Sequence, residues 1–285
     1  MIKVSSVAQA AQGLLKNAQW IVILLAAYAT GANAEMRSWT LPTAEMLDLA
    51  APASWSVALG AEAEYGEIYD GADEAETALQ PGVVAQLRRG DLRYYWEGNS
   101  LGVRWTPSTE WLLGAGLQLE FGREEADSPF LRGLGETDDE LALTVDIRRG
   151  FGEGWPWWLA TRVLAGNSDL GALAVLGVGR ELPVPGPRWQ ADLVLYTTFA
   201  TRDFQRKYFG VTPAQAARSG YPTFEPKGGY RALGGQLYLQ YAASERWLLR
   251  AEAGYERYTS DVRDSPIVRA SGELEAGITV LYNFR

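Results

Sequence analysis

Taken alternately, the residues near the end of the chain fall into two rows. Leu274, Ala276, Ile278, Val280, Tyr282 and Phe284 form one; Glu273, Glu275, Gly277, Thr279, Leu281 and Asn283 form the other. A period of two sets these rows on opposite faces of an extended strand, one apolar with aromatics at its end, the other mostly polar. The same alternation recurs through most of the chain. Trp55, Val57, Leu59, Ala61 and Ala63 oppose Ser56, Ala58, Gly60, Glu62 and Glu64. Leu113 to Phe121, Leu141 to Ile147, Trp189 to Leu195 and Trp247 to Tyr255 repeat it, and 170–180 is ambiguous because both of its faces are small or apolar.

The first 34 residues stand outside this pattern. Lys3 and Lys16 lie in an acid-free leader, an apolar run covers Trp20 to Ala29, and Ala32-Asn33-Ala34 supplies the small-x-small pattern of a signal peptidase site. Residues 1–34 therefore read as a signal peptide cleaved before Glu35, because the run is shorter than the roughly 20 apolar residues that span a bilayer. Residues 35–53 read as an N-terminal periplasmic segment and 54–285 as the folded unit. Cleavage removes two lysines, taking the formal charge from −9 to −9 − 2 = −11. An acidic chain without a Lys/Arg cluster excludes nucleic acid as partner. There is no cysteine, so neither disulfides nor zinc–thiolate sites can staple the fold.

Connections near 66–80, 123–139, 200–229 and 259–270 are long; those near 107–110, 150–156, 182–187 and 243–245 are short. That asymmetry fits an outer-membrane barrel with short periplasmic turns and longer outer loops. Both termini on the periplasmic side require an even strand count. Counting the hairpin at Gly90-Asp91 as two strands gives twelve, and merging it gives ten; a merged strand from Val83 to Trp105 exceeds the roughly 9–11 residues of a crossing. A soluble lipocalin-like barrel would show the same alternation, but twelve strands enclose too wide a lumen to fill with Ala and Leu. Aromatics at strand ends (Trp55/Tyr65, Trp111/Phe121, Trp189/Phe199, Trp247/Tyr255) suit interfacial girdles. The fold expected is an all-β, transmembrane antiparallel barrel of twelve strands in contact with outer-membrane lipid.

The chain contains no histidine, which removes Ser-His-Asp and His-shuttle chemistry. The polar rows instead carry charges expected to face the lumen: Glu62, Glu64, Arg104, Glu120, Asp146, Arg148, Arg162, Asp192, Arg250, Glu252, Glu273 and Glu275. Glu62/Glu64 and Glu273/Glu275 each stand about 6.5–7 Å apart by strand rise, within the range of glycosidase carboxylate pairs. Lumen charges avoid lipid in any such barrel, so solvated or arginine-paired carboxylates are the plainer reading, and no catalytic role is assigned. Glu136-Thr137-Asp138-Asp139-Glu140 lacks EF-hand spacing and reads as a solvated acidic loop. No cofactor or metal is expected.

The most distinctive loop segment is Tyr208-Phe209-Gly210-Val211-Thr212, followed by Gln215-Ala216 and Ser219-Gly220. With Asp264-Ser265-Pro266-Ile267-Val268 and Leu131-Arg132-Gly133-Leu134-Gly135, it resembles the MltA-interacting protein family (MipA/OmpV) from about Trp55 to Phe284. The resemblance implies an outer-membrane address. It also implies a scaffold that joins a lytic murein transglycosylase to a murein synthase without chemistry of its own; other members are described as adhesin-like or as passing small molecules. Tyr208, Phe209, Tyr221 and Phe224 are too apolar for a freely solvated loop, so the loop motifs are expected to pack at the barrel mouth. On the scaffold reading, partner contact falls on 35–53 and on turns such as Glu153-Gly154-Trp155-Pro156-Trp157. A channel for small polar solutes is the alternative, and it turns on whether 200–229 or 35–53 plugs the lumen.

Overall fold

The computed structural model of the chain describes Leu41, residues 55–152 and residues 156–284. The leader, most of 35–53 and the centre of the 153–157 turn lie outside the described residues. Twelve antiparallel strands follow one another around a closed barrel: β1 (Trp55–Glu67), β2 (Ala75–Arg89), β3 (Leu92–Glu97), β4 (Ser100–Ser108), β5 (Trp111–Glu120), β6 (Glu140–Phe151), β7 (Trp157–Ala165), β8 (Ala172–Glu181), β9 (Trp189–Ala200), β10 (Gly229–Ala242), β11 (Trp247–Tyr258) and β12 (Gly272–Asn283). β1 and β12 close the ring, in register from Ala58↔Asn283 to Tyr65↔Ala276. Twelve, not ten, is the count: β3 and β4 form their own ladder from Leu92↔Trp105 to Glu97↔Ser100. Among the described residues no helix is long and apolar enough to cross a membrane.

Period-two alternation becomes two environments. On β6, Ala142, Thr144 and Asp146 are buried, whereas Leu141, Leu143 and Val145 are 60%, 64% and 50% exposed. Such a continuous apolar outer surface belongs in hydrocarbon, where closure of the ring leaves no backbone edge to satisfy. Trp55, Trp105, Trp111, Trp157 and Trp247 stand exposed at the end that carries the short turns. There Trp189 stacks on Tyr241 at 4.3 Å, and Tyr282 meets Trp247 and Phe284 edge-on.

One connection differs from expectation. The long loop expected at 66–80 is short, because β1 continues to Glu67 and β2 begins at Ala75. Pro81 does not break β2, and the register explains why. Gly98 N–H donates to the Val83 carbonyl, so residue 83 turns its backbone polar groups toward β3, and residue 81 turns its own the same way. β3 pairs with β2 only from Val84 to Arg89, so Pro81 lies beyond the end of that ladder. The N–H it lacks has no strand to donate to, the position on a sheet edge where proline is tolerated. The barrel wall is consequently low at β3 and β4.

Candidate functional site

The interior has two unlike halves. Along β6–β10 the inward side is largely apolar: Trp158, Leu164, Leu173, Val175, Val194 and Tyr238 are buried in one cluster. Helix α1 (Arg202–Phe209) adds Phe204, Tyr208 and Phe209 to this cluster, and Leu41 joins it over Gly177. The Trp158 ring occupies the space a side chain at Gly179 would need. Its indole N–H donates to Asp192 at 3.0 Å, while Arg148 lies over the ring at 4.8 Å. Asp146 and Arg162, opposite each other in the β6–β7 register, form a two-pronged pair at 2.6 and 3.2 Å. Both are fully withdrawn from solvent, so each charge depends on the other.

Along β11, β12, β1 and β2 the inward side is acidic above a small apolar cluster of Ala58, Val84, Leu248 and Leu281 at the periplasmic end. Glu62 and Glu64 of β1 lie beside Thr279 and Gly277 of β12, and Gly277 in turn faces Glu252 of β11. Glu275 follows one inward position along β12. Neutral donors solvate this wall: Gln80 to Glu64 at 3.0 Å, Thr279 to Glu62 at 3.1 Å and Gln236 to Glu252 at 3.3 Å. Arg250 reaches from β11 past β12, β1 and β2 to Glu97 on β3, at 3.0 Å. Arg104 approaches the same carboxylate at 3.9 Å and covers Tyr95. Glu120 accepts from Gln118 at 2.5 Å, and Glu273 is buried near the outer end of β12.

Above these halves the outer loops interlock into a cap. Thr201 caps the N-terminus of α1 and Thr212 caps α2 (Pro213–Ser219), the latter through a reciprocal capping box with Gln215. Gly220 ends α2 in the left-handed conformation, at φ 81°. The segments singled out by family resemblance meet here. Ser265 Oγ donates to the Phe209 carbonyl at 2.7 Å, Gln215 donates to the Leu134 carbonyl at 2.7 Å, and Arg218 donates to the Gly133 carbonyl at 3.1 Å. Gly133, at φ 83°, admits this approach: a methyl group there would lie 2.7 Å from the Ser219 nitrogen. Beneath these bonds Tyr69, Leu131, Leu134, Val211 and Ile267 are buried together, with Val268 packed on the neighbouring cluster. Asp264 caps α3 (Ser260–Arg263), and Pro266 lies between Ser265 and Ile267 in the turn that follows.

The cap is tied to the wall by Arg231, which is fully buried. It pairs with Glu256 and with Asp70 at 3.4 Å and stacks near Phe209 and Tyr258. Alternation along β10 places Arg231 in lipid. A bulge between Tyr230 and Ala232 turns it inward instead. Tyr69 donates to the Ile267 carbonyl at 3.2 Å, and burial pushes its hydroxyl up to about 12. At the rim, Arg269 holds Asp73 at 2.8 Å and lowers the pKa of that carboxyl. In the acidic loop, Asp139 accepts from Gly122 N–H and the Asp138 carbonyl accepts from Lys207. Among the described residues no acidic cluster is arranged to hold a metal ion.

Several residues of this interior were not singled out from sequence. Glu97 shares the parity of Arg93 and Tyr95, so the alternation that found Arg104 could have found it. Gln80 falls in the stretch expected to be a loop, so alternation assigns it no face. Arg231, Glu256 and Asp70 had no sequence signal as a group.

A family model described as MltA-interacting protein MipA matches residues 59–284. The chain is 33% identical over 100 residues to outer membrane protein Omp26La of Vibrio anguillarum, and 33% identical over 101 residues to outer membrane protein OmpV of Vibrio cholerae. Each match covers 33% of this chain, and 36% and 37% of those proteins respectively, so the alignments span little more than a third of the curated relatives. Among solved structures, OprB of Pseudomonas putida aligns at TM-score 0.41 and 9% identity, covering 89% of this chain and all of that one. An outer membrane channel of Pseudomonas putida F1 aligns at TM-score 0.43 and 12% identity, covering 86% and 100%. The protein is an outer-membrane β-barrel, and it belongs to the MltA-interacting protein family.

Proposed function

We propose that the barrel is a non-catalytic scaffold that holds murein-degrading and murein-synthesising enzymes near the outer membrane. The observation that carries this reading is the cap. Four outer loops, three short helices and the Arg231 cluster bury an apolar core over the mouth, while Arg250–Glu97 and the α1 aromatics cross or fill the space beneath. A barrel organised in this way is built for rigidity rather than for passage. The family description names interaction with MltA, and the resemblance to that family implies a lytic transglycosylase as the partner. Partner contact then falls on the periplasmic end, in residues 35–53 and the turns around Thr106–Glu110 and Glu153–Trp157, because the outer loops cannot reach murein.

The test is a pull-down of the mature protein against a lytic transglycosylase and a murein synthase, alongside planar-bilayer recording. Binding of either enzyme without stable conductance supports the scaffold. The acidic wall favours a second reading, a channel for small polar solutes. That reading replaces the first if neither enzyme binds above background and the barrel conducts at a stable unitary level.

A further inference from the structure

On the lipid-facing side of β6–β10 the outer surface is indented by a cavity of about 650 Å³ with an almost wholly apolar lining. Register explains its shape. One cross-strand row reads Ile147, Thr161, Leu176, Thr197 and Leu233, consecutive partners from β6 to β10. The next row toward the periplasm reads Arg149, Leu159, Val178 and Leu195. The two threonines and the valine are shorter than the leucines around them, so the rows enclose a trench. It crosses four inter-strand gaps, roughly 19 Å at the usual strand spacing. Because the strands are tilted, a ladder row climbs the barrel, and the trench rises from the tryptophan girdle toward the outer rim. Half of a bilayer core of about 30 Å would be traversed by one acyl chain lying along it.

The lower end of the trench is charged. Arg149 lines it and lies over the Trp111 ring at 5.2 Å; Arg180, two strands away, lies over Trp157 at 4.9 Å. Both arginines are exposed and belong to outward rows that are otherwise apolar, positions where a cation is costly at the midplane and inexpensive at the interface. Their tryptophans hold both guanidinium groups against the barrel wall.

We propose that this face holds a membrane phospholipid, its phosphodiester at Arg149 and Arg180 and one acyl chain in the trench over Thr161 and Thr197. The length of the trench, its apolar lining and the placement of two arginines at its interfacial end match that molecule in charge and in shape. Free phosphate would match only the arginines, and a detergent tail only the trench.

Native mass spectrometry of the purified full chain, released from micelles containing phosphatidylglycerol, tests the assignment. The wild type should retain one lipid, and inorganic phosphate should not displace it. The double variant Arg149→Gln/Arg180→Gln should bind roughly 25-fold more weakly, at about fivefold per interfacial arginine. Thr161→Trp fills the trench without altering charge and should also lose the lipid. Heat-modifiable mobility on a gel checks that each barrel has folded. Retention equal to wild type in both folded variants overturns the proposal, as does complete displacement by inorganic phosphate.

Discussion

The two halves of the barrel interior obey different rules, although both face away from lipid. The β6–β10 half is packed like the core of a soluble domain: Trp158, Phe204 and Phe209 are fully buried, and the charges Asp146 and Arg162 are paired with each other. The β11–β12–β1–β2 half carries Glu62, Glu64, Glu252 and Glu275; Thr279, Gln80 and Gln236 donate to the first three, and Arg250 of the same wall reaches across to Glu97. The contrast follows the cap. Where α1 packs against the wall the inward side is apolar; opposite it the wall carries the carboxylates, with Ala58, Val84, Leu248 and Leu281 buried together toward the periplasmic end. Inward-facing is therefore not one environment, and the composition of an inward row reports what lies opposite it.

If the packed half is a true core, removing its charge anchor should produce the largest effect. Arg231→Met strands Glu256 and Asp70 in a buried site, and about 3–5 kcal/mol of stability should be lost in a urea folding titration. A loss below that of a surface substitution would show that the cap is not coupled to the wall. Phe209→Ala opens a cavity under the cap and should cost about 3–5 kcal/mol as well, with proteolysis of loop 201–228 reporting the loosened helix.

The acidic half should respond differently on its two faces. Ala251 faces outward between Leu249 and Ala253, so Ala251→Arg should destabilise by about 2–4 kcal/mol near the bilayer midplane. Its neighbour Glu252 faces inward and shares a 3.3 Å hydrogen bond with Gln236; Glu252→Gln should cost about 1 kcal/mol or less. Equal costs for the two would refute the register of β11.

The smallest effect concerns pH. Tyr69 has a folded pKa of about 12, raised above its ordinary value near 10 by burial. A raised pKa means the neutral hydroxyl is favoured in the folded cap. Its stabilisation is thus complete below about pH 10 and is lost as pH climbs toward 12. Ultraviolet difference spectroscopy should show Tyr69 among the late-titrating tyrosines, and Tyr69→Phe should remove one tyrosine's worth of that late amplitude.

Alternation revealed the faces of strands such as β6 and β11, because lipid outside and water or protein inside impose a period of two; the class of fold and the strand count needed the aromatic girdles, the loop lengths and the crossing length as well. The same rule failed at Arg231, where a bulge reverses the face, and at 66–80, an expected loop into which β1 and β2 both extend. Nor could periodicity show that Tyr208–Val211, Leu131–Gly135 and Asp264–Val268, more than fifty residues apart, build one cap.

The sequence by itself determined where most of the strands run and which row of the clearly alternating ones meets the membrane, since those follow from neighbours two residues apart and from the solvent they face. Only the tertiary structure decided which inward charges meet, which half of the interior is packed and which loops lock together. Arg250 finds Glu97 across three intervening strands, and Arg231 finds Asp70 through a loop. Such partnerships depend on ring closure and loop docking, and no local spacing encodes them.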